Sequence, residues 1–415
     1  MSKATLPLAV LLAFAPFLGL PFSNPQTSPP PARSSPEEVR RYFSEEEAAR
    51  GRLYMWGRYA LFFVGLGLKV AFLLLLIVIP ASKALERFAF SLAFGKPWLA
   101  VIVYTLVLLL LYTLLFLPLS AYRDLFRERA FGLSVQTIQG WLLDQLKGFL
   151  LSAVLLPPLV LLLYALIRRF PETWYLPAGL AASFLIVFFT AISPILIEPI
   201  FHTFRPIQNE DLRARVTALA EKAGLQVEKV LEMDASRRTR KLNAYVSGLG
   251  KTKRVVLYDT LVKGSSPEEV ELVLAHELGH WKHQHLWKGV GLAALFAFAG
   301  LFVGSLTLHW GVQKGLIQHP ADLAWFPLLL LTLFLFHIVT LPVENAISRA
   351  FERQADYASL LLTKNPEAFI RSEVQLAKSN LADLTPPRPL VLFLYTHPPV
   401  LERIGMAETF QQEGR

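Results

Sequence analysis

Ser266-Pro-Glu-Glu-Val-Glu-Leu-Val-Leu-Ala-His-Glu-Leu-Gly-His280 is the stretch on which the reading of this chain turns. Ser266 suits an N-cap, Pro267 the first helical position, and Glu269 completes a capping box, so a helix starts here. Val270, Leu272, Val273 and Leu274 carry that helix into His276-Glu277-Leu278-Gly279-His280, an H-E-x-x-H motif. His276 and His280, four residues apart, share one helical face, so both imidazoles can point at a single ion. Glu277 can then reach a metal-bound water and take its proton. The bland alternative is a solvated helix that happens to carry two of the chain's 9 histidines. It does not account for a capped start leading straight into the motif.

Composition describes what surrounds this helix. The chain has 415 residues and is 53% hydrophobic, with positive mean hydropathy. Such a balance fits a mainly α, polytopic membrane protein better than two or three soluble domains. No Cys is present, which excludes disulfides and thiolate ligands and leaves any metal to His, Asp or Glu. The formal charge of +9 is unaccompanied by an aromatic-basic recognition module, so no nucleic-acid partner is expected. Basic loops beside membrane spans account for it.

Seven apolar stretches are expected, near 5–22, 59–80, 98–119, 148–167, 174–197, 287–309 and 324–343, most of them about the twenty residues a bilayer requires. The first contains Pro7 and Pro16 and is read as a retained span, with a cleaved signal peptide behind Lys3 as its alternative. The chain therefore divides into that segment (1–22), a Pro/Ser-rich linker with an amphipathic segment (23–58), membrane helices (59–202), a polar block (203–286), two further membrane helices (287–345) and a polar tail (346–415). Loops on the side of the polar block carry Arg33, Arg40, Arg41, Arg50, Arg52, Arg58, Arg123, Arg127, Arg129 and Lys147; the opposite loops carry fewer basic residues. The positive-inside rule then puts the polar block and the tail in the cytoplasm. Lys69, mid-span, is explained either by snorkelling or by an internal aqueous space.

Within the polar block, Asn209 to Ala223 reads as an amphipathic helix, with Leu212, Val216, Leu219 and Ala220 on one face and Gly224 as C-cap. Strand-like runs follow at Val227–Met233, Ala244–Ser247 and Arg254–Tyr258. A catalytic zinc takes three protein ligands and a water, so a third ligand is required. Glu352 and Asp356, spaced i, i+4, offer one: Glu352 to ligate, Asp356 to accept a hydrogen bond from a ligand His. A solvated charged helix explains the same spacing. Glu344 is a rival ligand without an acidic partner one turn on. His283 and His285 are rivals too, but follow the motif too closely to fold back and read as interfacial residues.

These residues resemble the integral-membrane zinc metalloproteases known as type I CAAX prenyl proteases. The matching motifs are His276-Glu277-x-x-His280, Glu352-x-x-x-Asp356 after Ser348-Arg349, Asn243-Ala244-Tyr245-Val246-Ser247-Gly248, the run from Lys251 to Leu261, and Thr396-His397-Pro398-Pro399 with Glu402-Arg403-Ile404. The resemblance runs from about Tyr42 to Ile404. It implies about seven transmembrane helices enclosing a chamber, and a gluzincin-type zinc protease domain with a small β-sheet whose C-terminal part lies in the tail. It also implies one Zn2+ held by His276, His280 and Glu352, with Glu277 as general base and Asp356 in support. His397 would donate to the developing oxyanion, and Arg403 would bridge to Asp356 or to a backbone carbonyl. Asn243, Ala244 and Tyr245 match an edge strand for an extended substrate. The sequence departs from the family in 235–242, which ends in Lys241-Leu242 where small polar residues are expected.

The function so implied is a membrane-embedded endopeptidase cutting a peptide or protein substrate, prenylated or not, within the lipid bilayer. A membrane quality-control endopeptidase shares the chemistry without the prenyl specificity. A non-catalytic channel or scaffold is the alternative of another class; the filled metal-site positions argue against it, and a lack of stoichiometric zinc in purified protein would support it.

Overall fold

The computed structural model describes residues 36–224, 229–248 and 254–414. The apolar stretch 5–22, and with it the choice between span and signal peptide, lies outside the described residues, as does nearly all of the Pro/Ser-rich tract. In chain order the helices are α1 (Pro36–Tyr42), α2 (Glu45–Val78), α3 (Ala81–Leu92), α4 (Pro97–Ala130), α5 (Ile138–Arg169), α6 (Tyr175–Phe201) and α7 (Glu210–Lys222). They continue with α8 (Asp259–Gly264), α9 (Pro267–Lys282), α10 (His285–Gln313), α11 (Phe326–Thr363), α12 (Pro366–Asn380), α13 (Arg388–Leu394) and α14 (Val400–Gln412).

Among the described residues six helices are long and apolar enough to cross a membrane: α2, α4, α5, α6, α10 and α11. Each coincides with one of the apolar stretches expected from the sequence. Each also runs on past its apolar part at the end nearer the polar block, and α10 runs on by a turn at its other end as well. On the polar-block side α2 starts at Glu45, α5 at Ile138 and α10 at His285, whereas α4, α6 and α11 finish at Ala130, Phe201 and Thr363. Hydropathy cannot register these extensions, because outside the hydrocarbon a helix no longer has to be apolar all round. The start of α2 lies well inside the segment read as linker. Ser44 caps it, accepting from the Glu47 amide (3.1 Å) and donating its own amide to the Glu47 carboxylate (2.9 Å). α11 has 38 residues, about 57 Å at 1.5 Å per residue, so its last turns project far beyond a bilayer about 30 Å thick.

At the far end of the bundle α3 packs against α4 and the turn before α11, and Tyr104, Tyr164, Trp174, Leu308 and Phe326 form a buried core. The Ser82 hydroxyl ties that core to the α11 start through Tyr104 Oη (2.6 Å) and the Ala324 carbonyl (2.6 Å). Glycines let the membrane helices approach closely. At Gly179 of α6 a Cβ would lie 2.1 Å from the Phe298 ring of α10. Lys69 is half-buried, its ammonium 5.6 Å from the centre of the Phe334 ring, so its charge turns towards α11 and meets an aromatic face.

The polar block holds a four-stranded sheet of β1 (Phe204–Pro206), β2 (Val230–Met233), β3 (Ala244–Ser247) and β4 (Arg254–Tyr258) in the order β1-β2-β4-β3. β2 and β4 are parallel; the outer pairs are antiparallel. β1 carries no sequence periodicity and ends in Pro206, which an edge strand tolerates. α7 forms as expected, with Asn209 accepting from the Leu212 amide (3.0 Å) and the apolar face of Leu212, Val216, Leu219 and Ala220 buried against β4 and α9. The tail folds back as α12, α13 and α14. Ile404 buries with Val39 of α1 and with Phe43, between α1 and α2, while Met406 and Phe410 bury with Leu272 of α9 and Leu360 of α11.

Candidate metal centre

α9 starts as its sequence dictates. Ser266 accepts from the Glu269 amide (3.4 Å) and donates its own amide to the Glu269 carboxylate (2.8 Å). Leu274, Ala275 and Leu278 bury one side, leaving His276 and His280 on the side that meets α11. Gly279 makes the meeting close. A Cβ there would sit 3.0 Å from both the Cα and the carbonyl oxygen of Ala355. α9 and α11 therefore touch backbone to backbone, and Glu352, one turn before Asp356, reaches the two imidazoles.

Ligand atoms of His276, His280 and Glu352 all lie within 4.8 Å of one another, the one such group of three or more among the described residues. His276 Nε2 is 3.0 Å from His280 Nε2 and 3.2 Å from Glu352 Oε2. Glu352 Oε1 is 3.5 Å from His280 Nε2. Glu352 Oε2 is buried and accepts no hydrogen bond. An orphaned carboxylate oxygen facing two converging imidazole nitrogens fits a cation between them, and two His with one carboxylate suit zinc. Glu344, the rival ligand, accepts instead from Thr340 Oγ1 (2.5 Å) and lines an apolar cavity of about 650 Å³ between α6, α10 and α11.

The supporting residues converge on the same point. Asp356, fully buried, accepts from His276 Nδ1 (2.8 Å), which leaves Nε2 of that ring free to ligate. Arg403 grips Asp356 with two nitrogens, Nε at 2.8 Å and an Nη at 2.5 Å, and donates its other Nη to Glu373 (2.6 Å). Burial raises the Glu373 pKa against the pull of Arg403. His397 Nε2 lies 3.3 Å from Glu352 Oε2 on an exposed ring. The Thr396 hydroxyl sits 2.8 Å from His397 Nδ1; donating there, it keeps the proton on Nε2, the nitrogen turned to the cluster.

Glu277 follows the first His and turns to the sheet, where the Val246 backbone N–H donates to its carboxylate. Burial pushes its pKa up, and the neighbouring His276 and His280 imidazoles pull the other way. β3 is the edge strand on this side. The Tyr258 amide donates to the Asn243 carbonyl (3.1 Å), and Tyr245 stands opposite Val256. By antiparallel alternation the backbone groups of Asn243 and Tyr245 are spent inside the sheet, and those of Ala244 and Val246 face outward. The Tyr245 hydroxyl turns to α6, donating to Glu198 (2.7 Å). Asn243 and Ala244 line a cavity of about 100 Å³ with His276, Glu277, His397 and Arg403.

The departure at 235–242 has a structural account. Lys241 pairs with Glu128 (2.7 Å) and reaches the Tyr54 hydroxyl (3.0 Å), tying β3 to α4 and α2. Leu242 is buried in the core beneath α9. Small polar residues would supply neither contact.

The reading of His285 as interfacial is corrected. Gln284 adopts the left-handed conformation (φ 56°, ψ 32°), which ends α9 and swings the next residue back beneath it. His285 is 5% exposed, with Nδ1 3.0 Å from His280 Nδ1 and its ring stacked on Phe351 (4.4 Å, 9°). Helical spacing could not reveal this, because a single left-handed residue outside glycine carries no sequence mark. Val246, Thr396 and Gly279 escaped for the same kind of reason: strand alternation, tautomer control and helix contact are fixed by partners distant in sequence.

Comparison with known proteins gives a consistent picture. Residues 206–410 match the family described as Peptidase family M48, and residues 31–203 match the CAAX prenyl protease N-terminal region with five membrane helices. A Bacillus subtilis protein, uncharacterized metalloprotease YhfN, is 30% identical over 392 residues, 93% of this chain and 91% of its own length. CAAX prenyl protease 1 of Saccharomyces cerevisiae is 32% identical over 314 residues, 70% of this chain and 68% of its own. The human CAAX prenyl protease 1 homolog is 27% identical over 429 residues, 91% and 89% respectively. The crystal structure of S. mikatae Ste24p superposes with a TM-score of 0.80 at 22% identity, covering 97% of this chain and 98% of that one, so the fold is shared.

Proposed function

We infer, for a chain that belongs to peptidase family M48, that His276, His280 and Glu352 hold zinc and that the site cuts prenylated CAAX-type peptides. The protein is an integral, multi-pass membrane metalloprotease acting on peptide or protein substrates. The convergence of three ligand atoms within 4.8 Å, beside a carboxylate that faces an edge strand, carries the zinc reading, and the likeness to CAAX prenyl protease 1 relatives supports the prenylated substrate.

Zinc, when bound there, supplies a Lewis acid that polarises a scissile carbonyl and acidifies a water. The residues of the chain do the rest. The outward backbone of Ala244 and the outward carbonyl of Val246, whose N–H is taken by Glu277, hold a substrate extended by strand addition, presenting one carbonyl to the cluster. Glu277, raised by burial, takes the proton of the attacking water and delivers it to the leaving amine. His397, with Nε2–H kept in place by Thr396, donates to the oxyanion. Asp356 and Arg403 hold the His276 ring and its tautomer. The excess of Arg and Lys in loops on this side supports a cytoplasmic orientation.

The test is cleavage by the purified protein of a farnesylated C-a-a-X peptide against the same peptide without the lipid. The reading predicts at least tenfold higher kcat/KM for the farnesylated peptide. Equal rates would refute the prenyl specificity and favour a quality-control endopeptidase with the same chemistry.

A further inference from the structure

We propose that His285 and Gln354 are positioning residues that fix the tautomer and ring angle of His280, a proposal that rests on the reading of His280 as a metal ligand. His280 turns Nε2 to the cluster, 3.0 Å from His276 Nε2, so its other nitrogen, Nδ1, must carry the proton. The group within hydrogen-bond reach of that N–H is His285 Nδ1, at 3.0 Å. Two protonated nitrogens cannot share that distance, so His285 Nδ1 accepts and its proton resides on Nε2. That Nε2 lies 2.9 Å from Gln354 Oε1, which accepts in turn. The direction of the whole chain follows: His280 donates to His285, and His285 donates to the Gln354 amide oxygen.

Packing holds the relay in this arrangement. The left-handed turn at Gln284 and the flat stack on Phe351 fix the His285 ring. Gln354 rises from α11 two residues after Glu352, so the helix that supplies a candidate ligand also supplies the end of the relay. The two imidazoles are thus supported unequally. His276 leans on the buried carboxylate of Asp356, and His280 on a neutral chain of imidazole and amide. The neutral arm fixes geometry without adding a second negative charge behind a site that already holds Glu352.

The experiment measures the zinc dissociation constant of purified full-length protein by competition with a chromogenic chelator. Its variants are His285→Phe, which keeps the ring stack but removes the acceptor, Gln354→Leu and Gln354→Glu. Loss of an outer partner to a ligating His weakens metal affinity by about 10- to 100-fold. His285→Phe and Gln354→Leu should both fall in that range with unchanged thermal unfolding of the chelator-treated protein. Gln354→Glu, which keeps the acceptor, should bind zinc at least as tightly as the wild type. Wild-type zinc affinity in both His285→Phe and Gln354→Leu would overturn the proposal. If His285→Phe does not fold, Gln354→Leu, at the far end of the relay, decides alone. His280→Ala is the control for the underlying reading: retained zinc in that variant would mean that His280 is no ligand, a failure distinct from that of the relay.

Discussion

Replacing Gly279 by alanine would put a methyl group 3.0 Å from the Cα and the carbonyl oxygen of Ala355, and 3.1 Å from the Cβ of Ala358. Carbon atoms in good contact sit about 3.5–4.0 Å apart, so α9 and α11 must separate by roughly half an ångström or tilt. Metal–ligand distances tolerate about 0.2 Å. The helices that must part are the ones carrying His276 and His280 on one side and Glu352 on the other. Overpacking of this kind costs about 1–3 kcal/mol. In chelator-treated protein the helices can relax, so much of the cost falls on metal binding. At 1.4 kcal/mol per tenfold, zinc affinity should drop about 5- to 150-fold. Alanine also favours the helix over glycine by about 1 kcal/mol, so overall stability should change little while affinity falls. Chelator competition on wild type and Gly279→Ala, with thermal unfolding beside it, separates the two quantities. A zinc dissociation constant within twofold of wild type would refute the close-approach argument.

Three further outcomes are expected. In protein stripped of metal, burial works to lower the His276 pKa, but Asp356 and Glu352 outweigh it and push it up to about 10; zinc must displace that proton, so titration calorimetry in buffers of different ionisation enthalpy should register about one proton released per zinc at pH 7, and none would contradict the assignment. Burial alone would raise the Asp259 pKa, but hydrogen bonds from the Ser236 hydroxyl and amide hold it lowered, so its contribution is complete above the unfolded carboxylate range and is lost as pH falls through the folded value; Asp259→Asn should flatten the acid limb of thermal stability, and an unchanged limb counts against it. Lys364, exposed, ends α11 in the left-handed conformation (φ 51°), so Lys364→Gly should raise stability by about 1 kcal/mol, read from denaturant unfolding, whereas a loss would show that the backbone there carries no strain.

What the sequence disclosed, and what it did not, follows the range of each interaction. The capping box at Ser266 and the apolar run behind it are local, so α9 and the face bearing His276 and His280 could be read directly. The i, i+4 pair Glu352 and Asp356 is also local, although its meeting with α9 depends on Gly279, a contact across about 80 residues of chain. The membrane spans were legible only where hydrocarbon demands apolar residues. Their polar extensions, which carry Glu352 and Gln354, were not. β1 is three residues long and too short to show alternation. His285 was misread because the chain after the motif was taken as too short to fold back, and the left-handed turn at Gln284 folds it back. The outward-facing backbone of Val246 could be assigned only once β3 was paired with β4.

The central claim, a peptidase whose metal is held by His276, His280 and Glu352 and whose base is Glu277, is tested most directly by Glu277→Gln in the purified full-length protein. Metal analysis and a cleavage assay are made on the same sample. The account predicts one zinc per chain, as in the wild type, with cleavage reduced by at least about 10²-fold, the contribution of a positioned general base. Wild-type cleavage by that variant, or wild-type protein without stoichiometric zinc, would contradict it.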